Sequence, residues 1–253
     1  MNKKTTEKTA LIDLELILYR NAAKAEKEGT SLKSLVQMTQ LAIDGVVRSC
    51  RASKHYLVVS GRNNFRKILY PDYKAGRPPK PDLYIPLSDA IQETNGSLWC
   101  VHDQLEADDL LGIMATNGRV ENPIICSIDK DMLGVPTWHY NWNKDDWPVE
   151  VTQGEADSNW LIQLLKGDPT DNIEGMRGIG DVKAKALVDK YSCGLGIANI
   201  PTAVAKYIYE KEGFTLDSYA KCLNLVSIWR KPMPGALLEN ELISAIVKTI
   251  PSL

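Results

Sequence analysis

The chain has 253 residues, a formal net charge of −2, 44% hydrophobic and 25% charged residues, the proportions of a globular protein with room for one large α/β domain or two smaller ones. No apolar run is long enough to span a bilayer, and the N-terminal apolar run is cut by Asp13 and Glu15, which makes it a poor signal peptide. Five scattered cysteines without a CxxC argue against a zinc site and a disulfide framework, and a reducing cytoplasm fits best.

Along the chain, short β-rich runs alternate with helical patterns. "TALI" runs into Asp13, and residues 31–52 read as a helix. "HYLVVS" runs into Gly61, a Pro-rich loop follows over 76–86, and helices are expected over 86–95 and 108–117. "PIICSI" then runs into Asp129. Strands alternating with helices imply an α/β fold with a central, mainly parallel sheet, whose ligand crevice lies at the carboxyl ends of the strands. Beyond residue 150 the strands fade, so the division is an α/β part over 1–150 and a helical part over 151–253. "GEADSNWLIQLLKG" is amphipathic, with Trp160, Leu161, Leu164 and Leu165 on one face, and the tail over 201–253 reads as further helices.

Carboxylates carry the chemistry. In "EADD", Glu106, Asp108 and Asp109 crowd like charges at a helix start. Two readings compete: acids favoured by the helix dipole, or a cradle for a cation that offsets the repulsion. Asp13 and Asp129 stand at predicted strand ends on the same rim. Asp131 lies two residues after Asp129, and Asp168 and Asp171 are three apart in "KGDPTDNI". Hard carboxylate oxygens without His or Cys suit Mg²⁺ or Mn²⁺. Glu155 and Asp157 repeat the "EAD" string, but with no strand end beside them they are expected to serve only a helix start.

Two basic elements accompany the acids. "NIEGMRGIGDVKAKAL" places Gly175, Gly178 and Gly180 in a tight turn before a helix carrying Lys183 and Lys185 near its start, a pattern that lets backbone N–H groups approach a phosphate. An ordinary helix hairpin reads the same way, though the early lysines make the pattern more specific. In "NNFRKILYPDYKAGR", Arg66, Lys67, Lys74 and Arg77 interleave with Phe65, Tyr70 and Tyr73, which suits single-stranded ends and scissile phosphates, or a solvated basic loop.

The order of these strings, from "LID" through "NNFRKILYPDYKAGR", "EADDLLG" and "SIDKDM" to "LLKGDPTDNIEGMRGIGDVKAKAL", resembles the 5′ nuclease superfamily: phage 5′→3′ exonucleases, flap endonucleases and the 5′ nuclease domain of bacterial DNA polymerase I. The likeness runs from about residue 9 to 190 and more weakly to about 230. It implies a PIN-like 5′ nuclease fold with a helix–three-turn–helix over about 158–192 and a short arch over about 76–105. By this resemblance Asp13, Glu106 and Asp108 are ligands of a first metal site. Asp109, Asp129, Asp131, Asp168 and Asp171 belong to a second or to its water-mediated shell. Lys74 resembles the catalytic lysine and Arg77 its partner at the base of the arch. Arg20 resembles a phosphate contact, with Arg66 and Lys67 also on nucleic acid. Gly178 to Gly180 resemble the turn that often holds K⁺ on backbone carbonyls.

The family pattern has an Asp where "SGRNNFR" has Gly61, which leaves the first of two expected Mg²⁺ (or Mn²⁺) sites one ligand short. The eight acids carry −8 of a net −2, so the remainder of the chain carries +6. The implied activity is metal-dependent 5′→3′ exonuclease or flap endonuclease cleavage of DNA, or of RNA primers on DNA, in replication or repair. A monomer without membrane contact is expected, in the cytoplasm, or the host cytoplasm if the chain is phage-encoded. Two rivals are a DNA-junction binder that has lost catalysis, motivated by Gly61, and a PIN-like ribonuclease, which the glycine hairpin disfavours.

Overall fold

The computed structural model describes residues 7–195, 205, 208–213, 215–231 and 246. Most of the tail over 201–253, expected to be helical, lies outside the described residues, as does the side chain of Cys193. The chain forms two compact units. The first comprises residues 1–62, 78–130 and 137–150; the second comprises 63–77, 131–136 and 151–253.

The first unit is built on a six-stranded sheet. Its strands are β1 (Thr9–Asp13), β2 (Lys54–Ser60), β3 (Trp99–His102), β4 (Pro123–Cys126), β5 (Trp138–Tyr140) and β6 (Val149–Glu150), in the order β3-β2-β1-β4-β5-β6. Every pairing is parallel except β5–β6. The order reverses between β1 and β4. In open parallel sheets such a switch point is where a ligand crevice forms at the carboxyl ends of the strands. β1 is buried along its whole length, as expected for a central parallel strand packed on both faces.

The helices of this unit are α1 (Leu14–Glu28), α2 (Leu32–Cys50), α4 (Tyr84–Asn95) and α5 (Ala107–Thr116). Helix α1 is absent from the sequence reading, which took the apolar run around Asp13 only as the end of a strand. Its period shows in the buried residues Leu14, Ile17, Leu18, Ala22 and Ala25. Ser31 caps α2 by accepting from Ser34 N–H. Strands β3 and β5 are too short to carry a recognisable pattern. The segment over 76–105, expected as a short arch with a helix over 86–95, is mostly regular structure. From Tyr84 onward it is α4, whose Tyr84, Leu87 and Ile91 are buried against α1 and α2, and then β3 alongside β2. Residues 76–83 and the short turn after β3, over 103–105, remain as loops.

The second unit contains α3 (Phe65–Leu69), α6 (Gln153–Lys166), the short pair β7 (Gly167–Asp168) and β8 (Ile173–Glu174), α7 (Asp181–Leu195) and α8 (Leu216–Val226). Helix α6 buries Trp160, Leu161, Leu164 and Leu165, and packs on α7 through a core that includes Ala184 and Val188. Residues 63–77 and 131–136, which a boundary at 150 leaves with the α/β part, belong here for identifiable reasons. Arg66 donates from Nε to Leu225 O (3.1 Å) and from Nη2 to Ser227 O (2.7 Å). Tyr73 joins the apolar core, and Asn159 donates to Leu133 O (3.0 Å). Among the described residues no helix is long and apolar enough to cross a membrane.

Candidate active site

The rim of the first unit is organised around Asp13, the last residue of β1 and the N-cap of α1, only 3% exposed. Ser127, just beyond β4, donates its hydroxyl to Asp13 Oδ2 (2.9 Å) and accepts the N–H of Asp129 (3.1 Å). The two strands at the switch point are thus bridged by a side chain. Burial pushes the Asp13 carboxyl up to about 7, against the hydrogen bond from Ser127, and the charges of Glu15 and Asp129 add to the rise.

Glu15 is a member of this rim that the sequence reading passed over. It accepts from the hydroxyls of Ser60 (2.6 Å) and Tyr84 (3.0 Å) and from Lys80 Nζ (3.0 Å). Burial acts to raise its pKa, but Lys80 and the two hydroxyls outweigh that and hold it below the usual carboxylate value. Ser60 also accepts the N–H of Ala107, so one hydroxyl at the end of β2 ties α1 to the start of α5. No local signal marks Glu15, because Ser60, Lys80 and Tyr84 stand 45, 65 and 69 residues away.

At the start of α5, Glu106 and Asp109 form a reciprocal capping box. The Glu106 carboxylate accepts Asp109 N–H, and Asp109 accepts Glu106 N–H (3.3 Å). The helix-start reading of "EADD" is therefore realised for these two. Asp109 is fully buried, Glu106 nearly so, and Asp108 is half-buried. Gly61 has a steric role: a Cβ there would lie 2.1 Å from His102 O and 2.2 Å from Asp103 O. Its N–H donates to Leu105 O (2.8 Å). The loop after β3 fills the space that a side chain at 61 would need.

In the second unit the expected catalytic pair and one acid do come together. Asp171, 9% exposed, accepts from Arg77 Nε (2.7 Å), and Lys74 Nζ lies 3.8 Å from its other oxygen. Lys74 N–H also donates to Asp171 O (3.0 Å). Lys74 holds a left-handed backbone (φ 58°), a costly conformation for a lysine that this anchoring sustains. Asp168 caps a short turn by accepting Thr170 N–H (2.8 Å), and Asp131 accepts from Gln163 Nε2 (3.1 Å). Arg66 does not fit its expected place on nucleic acid. It is 2% exposed, its guanidinium serves backbone carbonyls, and the neighbouring Phe65 packs on Trp229. Lys67 is exposed, as is Arg20, which donates to Asn143 Oδ1 (3.0 Å). At the hairpin, Gly178 takes φ 78°, which favours glycine, whereas Gly180 does not. Lys183 and Lys185 are exposed, and Lys183 donates to Gly178 O (3.1 Å). Glu155 serves the helix start as expected, closing a capping box with Thr152, whereas Asp157 does more than that and pairs with the buried Arg230.

The rim's donors are hard oxygens, and burial, with the charges of Glu15 and Asp129 adding to it, has raised Asp13, a cost that a divalent cation relieves. On that ground the residues fit such an ion. Among the described residues no three of them already converge on one point. Ser127 holds Asp13, and Glu106 and Asp109 each accept the other's backbone N–H.

Comparison with known proteins accords with this geometry. Residues 8–157 match the family model described as the 5′-3′ exonuclease, N-terminal resolvase-like domain. The chain is 35% identical to the exonuclease of Escherichia phage T7 over 47% of its own length and 41% of that protein, so the match spans less than half of that relative. It is 30% identical to the flap endonuclease Xni of Shewanella baltica over 81% of this chain and 84% of that one. Among solved structures, the phage T5 D15 protein co-crystallised with metal ions superposes with a TM-score of 0.65 over 97% of this chain and 99% of that one, at 15% identity, a likeness of fold.

Proposed function

Because the chain belongs to the 5′-3′ exonuclease family, we infer that it hydrolyses phosphodiester bonds at the 5′ ends or flaps of DNA. The observation that carries this reading is Asp13: a carboxylate 3% exposed at the sheet's switch point, with its pKa raised to about 7 by burial and by neighbouring acids. A group so placed gains little for folding and gains much from a cation.

On this reading Mg²⁺ or Mn²⁺ is the cofactor. In the first unit, Asp13, Asp108 and Asp129 would hold it, joined by Glu106 and Asp109 once these leave their capping box. What a bound divalent cation supplies in such sites is Lewis acidity toward phosphoryl oxygens and a more acidic attacking water. The chain's own groups do the rest. Ser127 orients Asp13, and Glu15 keeps Ser60 and Ala107 fixed so that α5 presents its acids. In the second unit, Lys74 supplies an ammonium against charge developing on a phosphoryl group, and Arg77 with Asp171 fixes the backbone that carries it. Asp131, Asp168 and Asp171 remain proposed ligands of a second ion. Lys183 and Lys185 would grip a duplex backbone without reading bases, with K⁺ at the turn from Gly178 to Gly180. RNA primers on DNA as a further substrate, a monomeric state and a cytoplasmic setting belong to the same reading.

The deciding experiment is a Mg²⁺ titration of cleavage on a labelled 5′-flap DNA. Metal-dependent release of the flap is expected. Binding of the flap without cleavage at any Mg²⁺ or Mn²⁺ concentration would leave a junction-binding protein instead.

A further inference from the structure

The first unit holds a second concavity that the rim acids do not use. A half-open groove of about 500 Å³ lies between α1, α2 and the segment that follows β5, a size within the range of small-ligand sites. Its lining includes the apolar Ile17, Val46 and Trp142 and the polar Arg20, Lys24 and Asn143; no acidic residue lines it among the described residues. Trp142 is partly buried and packs against the unit's core. Arg20 is held toward the groove's wall by Asn143 (3.0 Å). Lys24 has Glu28 at 3.9 Å, both side chains more than half exposed, a pairing weak enough to yield to an incoming anion.

We propose that this groove is a nucleotide subsite, with a base against Trp142, a phosphate between Arg20 and Lys24, and Asn21 and Asn143 on the polar edges. A partly buried aromatic ring beside two cations matches a ligand that is flat at one end and anionic at the other. The groove adjoins the rim. Arg20 is seven residues along α1 from Asp13, about 10 Å at the helical rise. Tyr140, which also lines the groove, accepts the N–H of Ser127, the residue that orients Asp13. A nucleotide held here would neighbour one whose phosphate lies at Asp13, a placement that rests on the hydrolase reading. Its source is a nucleotide of the DNA strand or a released 5′-mononucleotide, which share the same chemistry.

Calorimetry in EDTA separates binding from cleavage. Deoxyadenosine 5′-monophosphate is expected to bind saturably, at least tenfold more tightly than deoxyadenosine or inorganic phosphate alone. Lys24→Glu, on the exposed surface of α1, should weaken it tenfold or more. Trp147→Ala, exposed and outside the groove, should leave it unchanged. A 5′-phosphorylated oligonucleotide that competes with the mononucleotide assigns the groove to the strand; one that does not compete assigns it to the product. No saturable binding of the mononucleotide, binding no tighter than phosphate alone, or binding unaltered by Lys24→Glu overturns the subsite. A protein that cleaves flaps but fails these tests loses only the groove, and one that passes them but never cleaves loses only the hydrolase reading.

Discussion

Two stretches of this chain share the string "EAD" at a helix start, and the protein uses them in opposite ways. At 106–109 and at 155–157 the glutamate takes part in a capping box, with Asp109 in one case and Thr152 in the other. Both stretches also bury an aspartate: Asp109 is fully buried and Asp157 is 4% exposed. The neighbourhoods differ. Asp157 meets the guanidinium of Arg230, itself 1% exposed, so its charge is compensated within the fold. Around "EADD" the rim is acidic: Asp13 is raised by burial and further by Glu15 and Asp129, and Lys80 with two hydroxyls holds Glu15 below the usual carboxylate value. A compensated carboxylate supports folding. A buried carboxylate raised with further acids beside it is a cost to folding that a cation can turn into a use.

That contrast can be broken at its strongest point by Asp13→Asn. Cleavage should fall by roughly 10³-fold or more, about 4 kcal/mol of barrier, while the thermal midpoint stays at or above that of the parent. Flap cleavage and a melting curve on the same preparation check both halves; a loss of stability equal to the loss of activity would make Asp13 a structural acid like Asp157. The reverse experiment is Arg230→Met. It strands the Asp157 carboxylate in the core and should cost about 3–5 kcal/mol in urea unfolding. Mg²⁺ dependence measured well below the unfolding midpoint should be unchanged.

Gly61→Ala sharpens the picture of the rim. The added Cβ would meet two backbone carbonyls, which cannot rotate away, and about 1–3 kcal/mol of stability should be lost. For that reason Gly61→Asp is not a route to restoring a carboxylate at the first metal site: the loop after β3 occupies the space. A Gly61→Ala variant as stable as the parent would mean that this loop moves freely. The smallest effect is expected at the hairpin. Lys183→Ala and Lys185→Ala should each weaken duplex binding a few-fold, equally for all sequences, and reduce the salt slope by about 0.9 for every phosphate no longer neutralised. Fluorescence anisotropy at several salt concentrations measures this.

What the sequence determined by itself is the local and the serial. Period and composition mark β1, α2, α5 and α6. The spacing of "EADD", "SIDKD" and "GDPTD" marks the acids, and the order of the strings marks the family. These signals survive in one dimension because a strand or helix repeats its burial every few residues, and because a capping box closes within four. What only the tertiary structure decided depends on partners far apart in the chain. Arg66 looked like a phosphate-binding cation in a basic string, yet it serves carbonyls 159 and 161 residues away. Asp157 became structural because Arg230 reached it across 73 residues. Glu15 entered the rim through Lys80 and Tyr84, both on the segment expected as a short arch, whose α4 packs on α1 and α2. The role of Gly61 came from the backbone of residues 102–103, not from its own φ. A charged side chain takes its function from the charges and carbonyls that surround it after folding, and no sequence neighbour fixes which those will be.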